Sequence, residues 1–177
     1  VSSVSPDFSS FLYRDFLAHL PGTFHLGGGA FEIQHAFVDP AAHHWAGAVR
    51  YEDLIEQDLL GRARTRLRLE FSSATAFRSY GLHVPFILPD LAIGSWLRSW
   101  NRHAPVEFPE TFREGVRESV AVSYYKMQTR PVRYGKATLV GGSGECTFNI
   151  LTRDPYWRHV VNVLSAFAFY SGTGVKT

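Results

Sequence analysis

The sequence has 177 residues, of which 45% are hydrophobic and 15% aromatic. This composition supplies enough apolar side chains for a packed core and excludes a disordered chain, and the length allows one domain or two small ones. The single cysteine, Cys146, excludes an internal disulfide and a cysteine-rich metal site, and it fits a cytoplasmic location. No apolar run approaches the roughly 20 residues of a membrane-spanning helix, so we expect no membrane partner.

The formal net charge is only +2, but the charges are distributed unevenly along the chain. Residues 1–60 contain two basic and eight acidic side chains, whereas residues 61–177 contain sixteen basic and eight acidic ones. This asymmetry predicts a domain boundary near Gly61 and a polyanion as the partner of the second part. Charge alone leaves open the alternative that solvated arginines merely keep the domain soluble.

The first part predicts two helices and two strands. Ser5-Pro6-Asp7 is a helix-start signal, and Gly27-Gly28-Gly29 predicts the turn between the strands. His35 falls on the apolar face of its strand, so we expect it in the core. The predicted elements are a helix over 7–20, strands over 23–26 and 31–38, and a short acidic helix over 51–60.

The second part alternates between strand and helix patterns. Leu67, Leu69 and Phe71 alternate with basic and acidic residues, which predicts a strand with one buried and one solvated face. Asp90 is expected to cap a helix that ends before Pro105. The predicted elements are strands over 62–71, 120–130 and 144–152, helices from 90 and over 155–170, an irregular segment over 72–89 and a mixed one over 106–118.

This order of elements predicts an α+β protein with ferredoxin-like (βαββαβ) topology. Strand, helix, strand, strand and helix follow one another after Gly61, and one further strand would complete the unit. The helix and two strands before Gly61 resemble the tail of a similar unit. We therefore expect residues 1–60 to be the remnant of a first ferredoxin-like domain with a linker helix, and residues 61–177 to be a second, nearly complete one.

The last residues combine a helix end with a glycine-rich turn. Asp154 is the expected N-cap of the last helix, which should stop near Gly172. Gly172 and Gly174 flank a single threonine, and Lys176 follows, so backbone N–H groups and a positive charge favour an anion such as a phosphate. A simple helix C-cap is the alternative, and the negative end of the helix dipole argues for it.

Basic and aromatic residues interleave on the predicted strands of the second part. Basic side chains bind phosphates, and tyrosine rings stack on bases, so this pattern predicts an RNA-binding surface. Ordinary surface charge with Tyr124, Tyr125 and Tyr134 at a strand edge is the alternative. The basic candidates are Arg66, Arg68, Lys126, Arg130, Arg133 and Lys136.

The eight histidines yield no catalytic or metal assignment. His43 and His44 are adjacent, and no pair has the spacing of a zinc site, so we predict no metal and no cofactor. No nucleophile-elbow, P-loop or dinucleotide-binding pattern occurs. The residues alone therefore leave the catalytic group unknown.

Five stretches of the sequence together suggest a known family. They are HHWAGAVRYEDL (43–54), LRLEFSSATAFR (67–78), LPDLAIGSWLRSWN (88–101), LVGGSGECTFNI (139–150) and AFAFYSGTGVKT (166–177), of which the last is the most specific. In these stretches the chain resembles the CRISPR-associated endoribonuclease family that cuts repeat RNA into guide RNAs, the "Cas six" family.

The resemblance implies two tandem ferredoxin-like domains and metal-independent cleavage of CRISPR repeat RNA by attack of the ribose 2′-hydroxyl. It implies that the hairpin from Lys126 to Gly144 meets the RNA, and that Gly172 and Gly174 belong to a glycine-rich loop. None of the histidines matches the general acid–base histidine of the family, so we expect the catalytic residue outside this chain. Other CRISPR-associated proteins are further candidate partners.

Two alternatives remain at this stage. One is a non-catalytic RNA-binding or scaffold domain within a larger CRISPR protein, which the unmatched histidine favours. The other is a ferredoxin-like interaction domain that binds no RNA. Salt-sensitive RNA binding separates them, because contacts between basic side chains and phosphates weaken steeply as the salt concentration rises.

Overall fold

The computed structural model describes residues 3–61, 63–134 and 137–174. The chain forms two compact units, Val1–Arg50 and Tyr51–Thr177. The helix that the sequence places with the first domain begins at Tyr51 and so belongs to the second unit. In the described part of the chain, no helix combines the length and the apolar character that crossing a membrane requires.

The first unit begins with a short helix. Helix α1 (Pro6–Phe11) is capped by Ser5, whose hydroxyl accepts a hydrogen bond from the Phe8 N–H at 3.5 Å. The chain then continues as a π-helical segment, Leu12–Phe16, and a short 3₁₀ turn, Leu17–His19, which corrects the expectation of one α-helix over 7–20. The helical path ends there because a residue before proline, here Leu20, is disfavoured in the α conformation.

A hairpin of two short strands completes the regular structure of this unit. Strand β1 (Thr23–Leu26) pairs antiparallel with strand β2 (Gly29–Glu32) through a turn whose two glycines have positive φ. The expected strand over 31–38 was wrong beyond Glu32, because β1 is four residues long and provides no partner further on. The expectation for His35 was also wrong, since its side chain is exposed.

The second unit is built around a three-stranded antiparallel sheet. Its strands are β3 (Arg66–Thr75), β6 (Val120–Tyr134) and β7 (Ala137–Ile150), and their order in the sheet is β3–β7–β6. Strand β7 is therefore central, and β6 and β7 form one long hairpin. All three strands extend further towards the hairpin end of the sheet than the sequence pattern indicated.

The segment between β3 and the next helix is not irregular as expected. Strands β4 (Phe77–Ser79) and β5 (Leu82–Val84) form a small hairpin of their own. Its turn contains Tyr80 and Gly81, both with positive φ. Because three-residue strands carry little periodic signal, turn residues dominate the sequence there.

Among the described residues of this unit, four helices accompany the sheet: α2 (Tyr51–Leu60), α3 (Pro89–His103), α4 (Phe112–Ser119) and α5 (Pro155–Ser171). Asp154 caps α5 as predicted, since its carboxylate accepts from the N–H groups of Tyr156 and Trp157 at 2.9 and 3.5 Å. Asp90 does not cap α3. Pro89 already occupies the first helical turn, and the Asp90 carboxylate instead accepts from Arg117 Nε at 3.0 Å.

One core fills this unit. Alternate side chains of β3 and β7 are buried together with the apolar faces of the helices. Aromatic contacts tie the helices, including an edge-on contact between Trp100 and Phe167 at 5.2 Å between ring centroids. The buried residues that meet here include Leu67, Phe71, Phe148, Trp96, Trp100, Val160, Leu164 and Phe167. The side chains between the buried strand positions are left to form a second, polar face.

Candidate nucleic-acid interface

The polar side of the β3–β7–β6 sheet, which we call the open face, presents charged groups in cross-strand rows. Directly paired residues lie on the same face of an antiparallel sheet, so each row holds three neighbours. Arg68 pairs with Thr147, which pairs with Tyr124, and the next row is Glu70, Glu145 and Lys126. The open face comprises Arg66, Arg68, Glu70, Tyr124, Lys126, Gln128, Arg130, Ser143, Glu145, Thr147 and Asn149.

A shallow groove of about 270 Å³ interrupts the open face. It forms where strand β3 bulges: Phe71 pairs with Gly144, but the next pair is Thr75 with Gly142, so β3 uses two more residues than β7. A bulge of this kind breaks the ladder and bends the strand, which opens space beside it. The groove is lined by Phe71, Ser72, Lys126, Gln128, Arg130, Ser143, Gly144 and Glu145.

The groove needs a glycine in its wall. Gly144 has φ +133°, which a residue with a side chain rarely adopts, and a Cβ there would collide with the carbonyl oxygen of Lys126. The charges of the groove come from Lys126, Arg130 and Glu145. Arg130 is oriented by a hydrogen bond from its Nη2 to Gln128 Oε1 at 3.4 Å. The groove therefore offers two cations and one anion to a ligand.

The glycine-rich turn after α5 is fixed by two hydrogen bonds to α3. Trp96 Nε1 donates to Thr173 Oγ1 at 2.7 Å, and the Gly174 N–H donates to Ser95 Oγ at 3.0 Å. Gly174 has φ +85°, and a Cβ on it would collide with the carbonyl oxygen of Ala76. Glycine is thus required here for close packing against the end of β3.

The groove and the glycine-rich turn lie at the same end of β3. Ser72 lines the groove, while Thr75 and Ala76 contact Gly174. Four residues of extended chain span at most about 14 Å. The groove with its basic residues and the glycine-rich turn, which are far apart in the sequence, therefore both lie near the C-terminal end of β3.

A family-wide comparison matches residues 69–177 to the family described as CRISPR-associated endoribonuclease Cas6. The chain belongs to the Cas6 family. The matched segment holds the groove, both strands of the long hairpin and the glycine-rich turn, and the resemblance noted from the sequence is thereby confirmed.

Solved structures of Cas6 proteins are similar over most of this chain. The Cas6 (TTHA0078) product complex matches with a TM-score of 0.83 and 28% identity, over 97% of this chain and 68% of that one. The Cas6 (TTHA0078) substrate mimic complex matches with a TM-score of 0.79 and 27% identity, over 97% of this chain and 71% of that one. Thermus thermophilus Cas6 (TTHB231) matches with a TM-score of 0.76 and 25% identity, over 85% of this chain and 62% of that one. A comparison with curated proteins found no match.

Of the residues that the sequence nominated, Lys126 and Arg130 line the groove. Arg66 and Arg68 lie on the open face nearer the start of β3, and Arg66 Nε donates to Asn149 Oδ1 at 3.4 Å. Arg133 lies an odd number of residues from Arg130, so it falls on the other side of β6. Lys136, Lys176 and the side chain of Tyr134 lie outside the described residues.

The two remaining tyrosines have different roles. Tyr124 is exposed on the open face, in the row that also holds Thr147 and Arg68, where its ring is accessible to a ligand. The Tyr125 hydroxyl accepts a hydrogen bond from the Ile87 N–H at 2.9 Å, which ties β6 to the segment before α3. Tyr125 therefore has a structural partner, whereas Tyr124 is available for stacking.

Sequence reasoning missed the polar groove residues Ser72, Gln128, Ser143 and Glu145. The available signal was the run of small residues, Ser72-Ser73 in one strand and Gly141 to Gly144 in another. Glycine and serine inside a strand pattern indicate a bulge or a close backbone approach. That signal marks a place on each strand, but it does not show that the two places face each other.

No histidine lines the groove. His159 instead pairs with Asp58, with 2.6 Å between Nδ1 and Oδ2, and this contact joins α5 to α2. Burial raises the pKa of the Cys146 thiol to about 11, so it stays protonated and is a poor nucleophile at neutral pH. Among the described residues, no three or more His, Cys, Asp or Glu side chains are grouped to hold a metal ion.

Proposed function

We propose that this chain binds CRISPR repeat RNA through the open face, the groove and the glycine-rich turn. We further propose that it belongs to an endoribonuclease that cleaves that RNA without a metal, by attack of a ribose 2′-hydroxyl on the adjacent phosphate. The observation that carries the proposal is that the groove with Lys126 and Arg130 and the glycine-rich turn both lie near the same end of β3. Similar Cas6 proteins have been solved as product and substrate-mimic complexes, which supports it.

The electrostatics of the site agree with a polyanionic ligand. Arg66, Arg68, Lys126 and Arg130 share one face, against two carboxylates in a single row. Phosphates bound by such side chains release counterions, which gives the binding its salt dependence. Tyr124 adds a ring on which an unpaired base can stack, and unpaired bases are the usual targets of sequence-specific RNA recognition.

We propose that the sheet is part of a ferredoxin-like domain. Strands β3 and β6 are joined through α3 and α4 and lie on either side of β7, which is the split arrangement of that topology. On this proposal residues 61–177 are the second of two such domains, and residues 1–60 comprise a remnant of the first and a linker helix, α2, which packs with the second. The groove and the glycine-rich turn both lie in the second domain.

The group that deprotonates the 2′-hydroxyl is proposed to come from outside this chain. A general base must lie within hydrogen-bond reach of the proton that it removes, and none of the groove residues is a histidine. The same observation favours a second candidate function, a non-catalytic RNA-binding or scaffold module. Both proposals place the protein in the cytoplasm with RNA, and other CRISPR-associated proteins remain candidate partners.

This chain alone, without the proposed general base, should bind CRISPR repeat RNA without cutting it. The cleavage test therefore uses the whole endoribonuclease to which the chain is proposed to belong, incubated with that RNA in EDTA. Cleavage at one position, leaving a cyclic phosphate and a free 5′-hydroxyl, is the expected result. Tight, salt-sensitive binding without a cut would favour the scaffold function. If RNA does not bind even at low salt, both functions are wrong.

The mode of RNA binding is tested separately by its salt dependence. The logarithm of the binding constant should fall linearly with the logarithm of the salt concentration. A matched DNA strand of the same sequence serves as the control, because it carries the same phosphates but lacks the 2′-hydroxyl. A binding constant that does not change with salt would contradict the assignment of the basic residues.

A further inference from the structure

The groove contains an acid that a purely phosphate-binding surface does not need. Glu145 is exposed, lines the groove and lies directly opposite Glu70 on one side and Lys126 on the other. Like charges placed directly opposite each other destabilise a sheet. A carboxylate also repels phosphates, so its presence in this groove works against non-specific RNA affinity.

The two carboxylates are not neutralised by close pairing. Within the part of the chain that the structure describes, neither Glu70 nor Glu145 forms an ion pair or accepts a side-chain hydrogen bond. Lys126 is their neighbour in the row, but it too has no ion pair among the described residues. The Glu145 oxygens are thus free to accept hydrogen bonds from a ligand.

We infer that the groove is a base-reading subsite for a nucleobase that carries an exocyclic amino group, with the Glu145 carboxylate as the hydrogen-bond acceptor. This inference rests on the proposed function and names the class of nucleotide that the groove takes. An ionised carboxylate only accepts hydrogen bonds. Cytosine offers N4–H₂ as a donor, whereas uracil offers the acceptor O4 at the same place, as thymine does in DNA.

The other lining residues fit one nucleotide. Lys126 and Arg130 flank Gln128 on the same face of β6, so they can hold the phosphate while the base lies across the row of Glu145. Gly144 supplies an unobstructed wall because it carries no side chain. The volume of about 270 Å³ is below the roughly 300 Å³ at which pockets for drug-sized ligands begin. That size suits a single base.

The test compares two single-stranded probes, labelled oligocytidine and oligouridine of eight nucleotides, by fluorescence anisotropy. The parent protein should bind oligocytidine about tenfold more tightly, since a good polar base contact discriminates by roughly 1–3 kcal/mol. Glu145→Gln should bring the two affinities within about twofold, mainly because oligouridine binds better. The glutamine amide can donate to uracil O4, which the carboxylate cannot.

Glu70→Gln is the matched control, because it removes the same charge from the same row but lies outside the lining of the groove. This variant should bind both probes more tightly by the same factor and keep the preference for oligocytidine. A parent protein without that preference, or a preference lost equally in Glu70→Gln, would overturn the inference while repeat-RNA binding stands. A protein that binds neither the probes nor repeat RNA would overturn the proposed function together with the inference.

Discussion

The side chain of Asn162 and the backbone of Arg64 hold each other by two reciprocal hydrogen bonds. Asn162 Oδ1 accepts from the Arg64 N–H at 3.1 Å, and Asn162 Nδ2 donates to the Arg64 carbonyl at 2.9 Å. The same oxygen also accepts from Arg64 Nε at 3.2 Å, and the same nitrogen donates to the Arg158 carbonyl at 2.8 Å. A buried amide that satisfies all its groups thereby fixes the segment that leads into β3 against α5.

Asn162→Ala should lower the free energy of unfolding by about 1–2 kcal/mol, because it removes the hydrogen bonds to the partly buried backbone N–H and carbonyl of Arg64. Urea denaturation followed by circular dichroism measures the change. Asn162→Asp is the matched variant: it keeps the acceptor oxygens, loses both donated bonds and should also destabilise. Equal stability of the parent and Asn162→Ala would show that the pair contributes nothing.

Local signals explain why some elements were predicted accurately from the sequence and others were not. Helix α5 begins at Pro155 and ends before Gly172, as predicted, because the cap, the proline and the positive-φ glycine are all local to its ends. Helix α2 likewise matches the prediction. Strand β2 was overextended because its length depends on β1, a partner that the alternating pattern cannot measure.

The candidate site was only partly predictable, for the same physical reason. Lys126 and Arg130 could be predicted as binding residues, because basic composition and strand alternation are visible in the sequence. The groove, however, depends on how β3 pairs with β7 at a bulge, and these strands are far apart in the sequence. The position of the glycine-rich turn also depends on distant residues, since Trp96 and Ser95, which hydrogen-bond to it, are far from it in the sequence.

Lys126→Ala and Arg130→Ala should each weaken the binding of repeat RNA and reduce the slope of its salt dependence by about one. The reason is that each substitution removes one phosphate contact from the groove. Filter binding at several salt concentrations provides the slope. Arg153→Ala is the control, because Arg153 is an exposed cation in the loop after β7, at the end of that strand away from the hairpin tip. Equal losses in all three variants would argue for a diffuse charge effect.

Gly174→Ala should destabilise the protein more than Gly172→Ala, and it should also weaken RNA binding. Both glycines have positive φ, which costs a residue with a side chain roughly 1–2 kcal/mol. A Cβ at Gly172 meets open space, whereas one at Gly174 meets the Ala76 carbonyl and displaces the turn. Thermal unfolding and RNA titration of both variants make the comparison. If Gly172→Ala lowers stability more than Gly174→Ala, the described packing of the turn against Ala76 is wrong.

The Cys146 thiol should react slowly with iodoacetamide at pH 8 in the native protein and quickly after unfolding in urea. Its side chain is 1% exposed, and burial raises its pKa from 9.0 to about 11. Between these two pH values the unfolded chain releases the thiol proton while the folded chain retains it, so the free energy of unfolding must fall as the pH rises. Cys146→Ala removes this contribution, and its stability should decline less than that of the parent from pH 9 to 11. Parallel declines for the two proteins, or rapid alkylation of the native thiol, would contradict a buried, protonated Cys146.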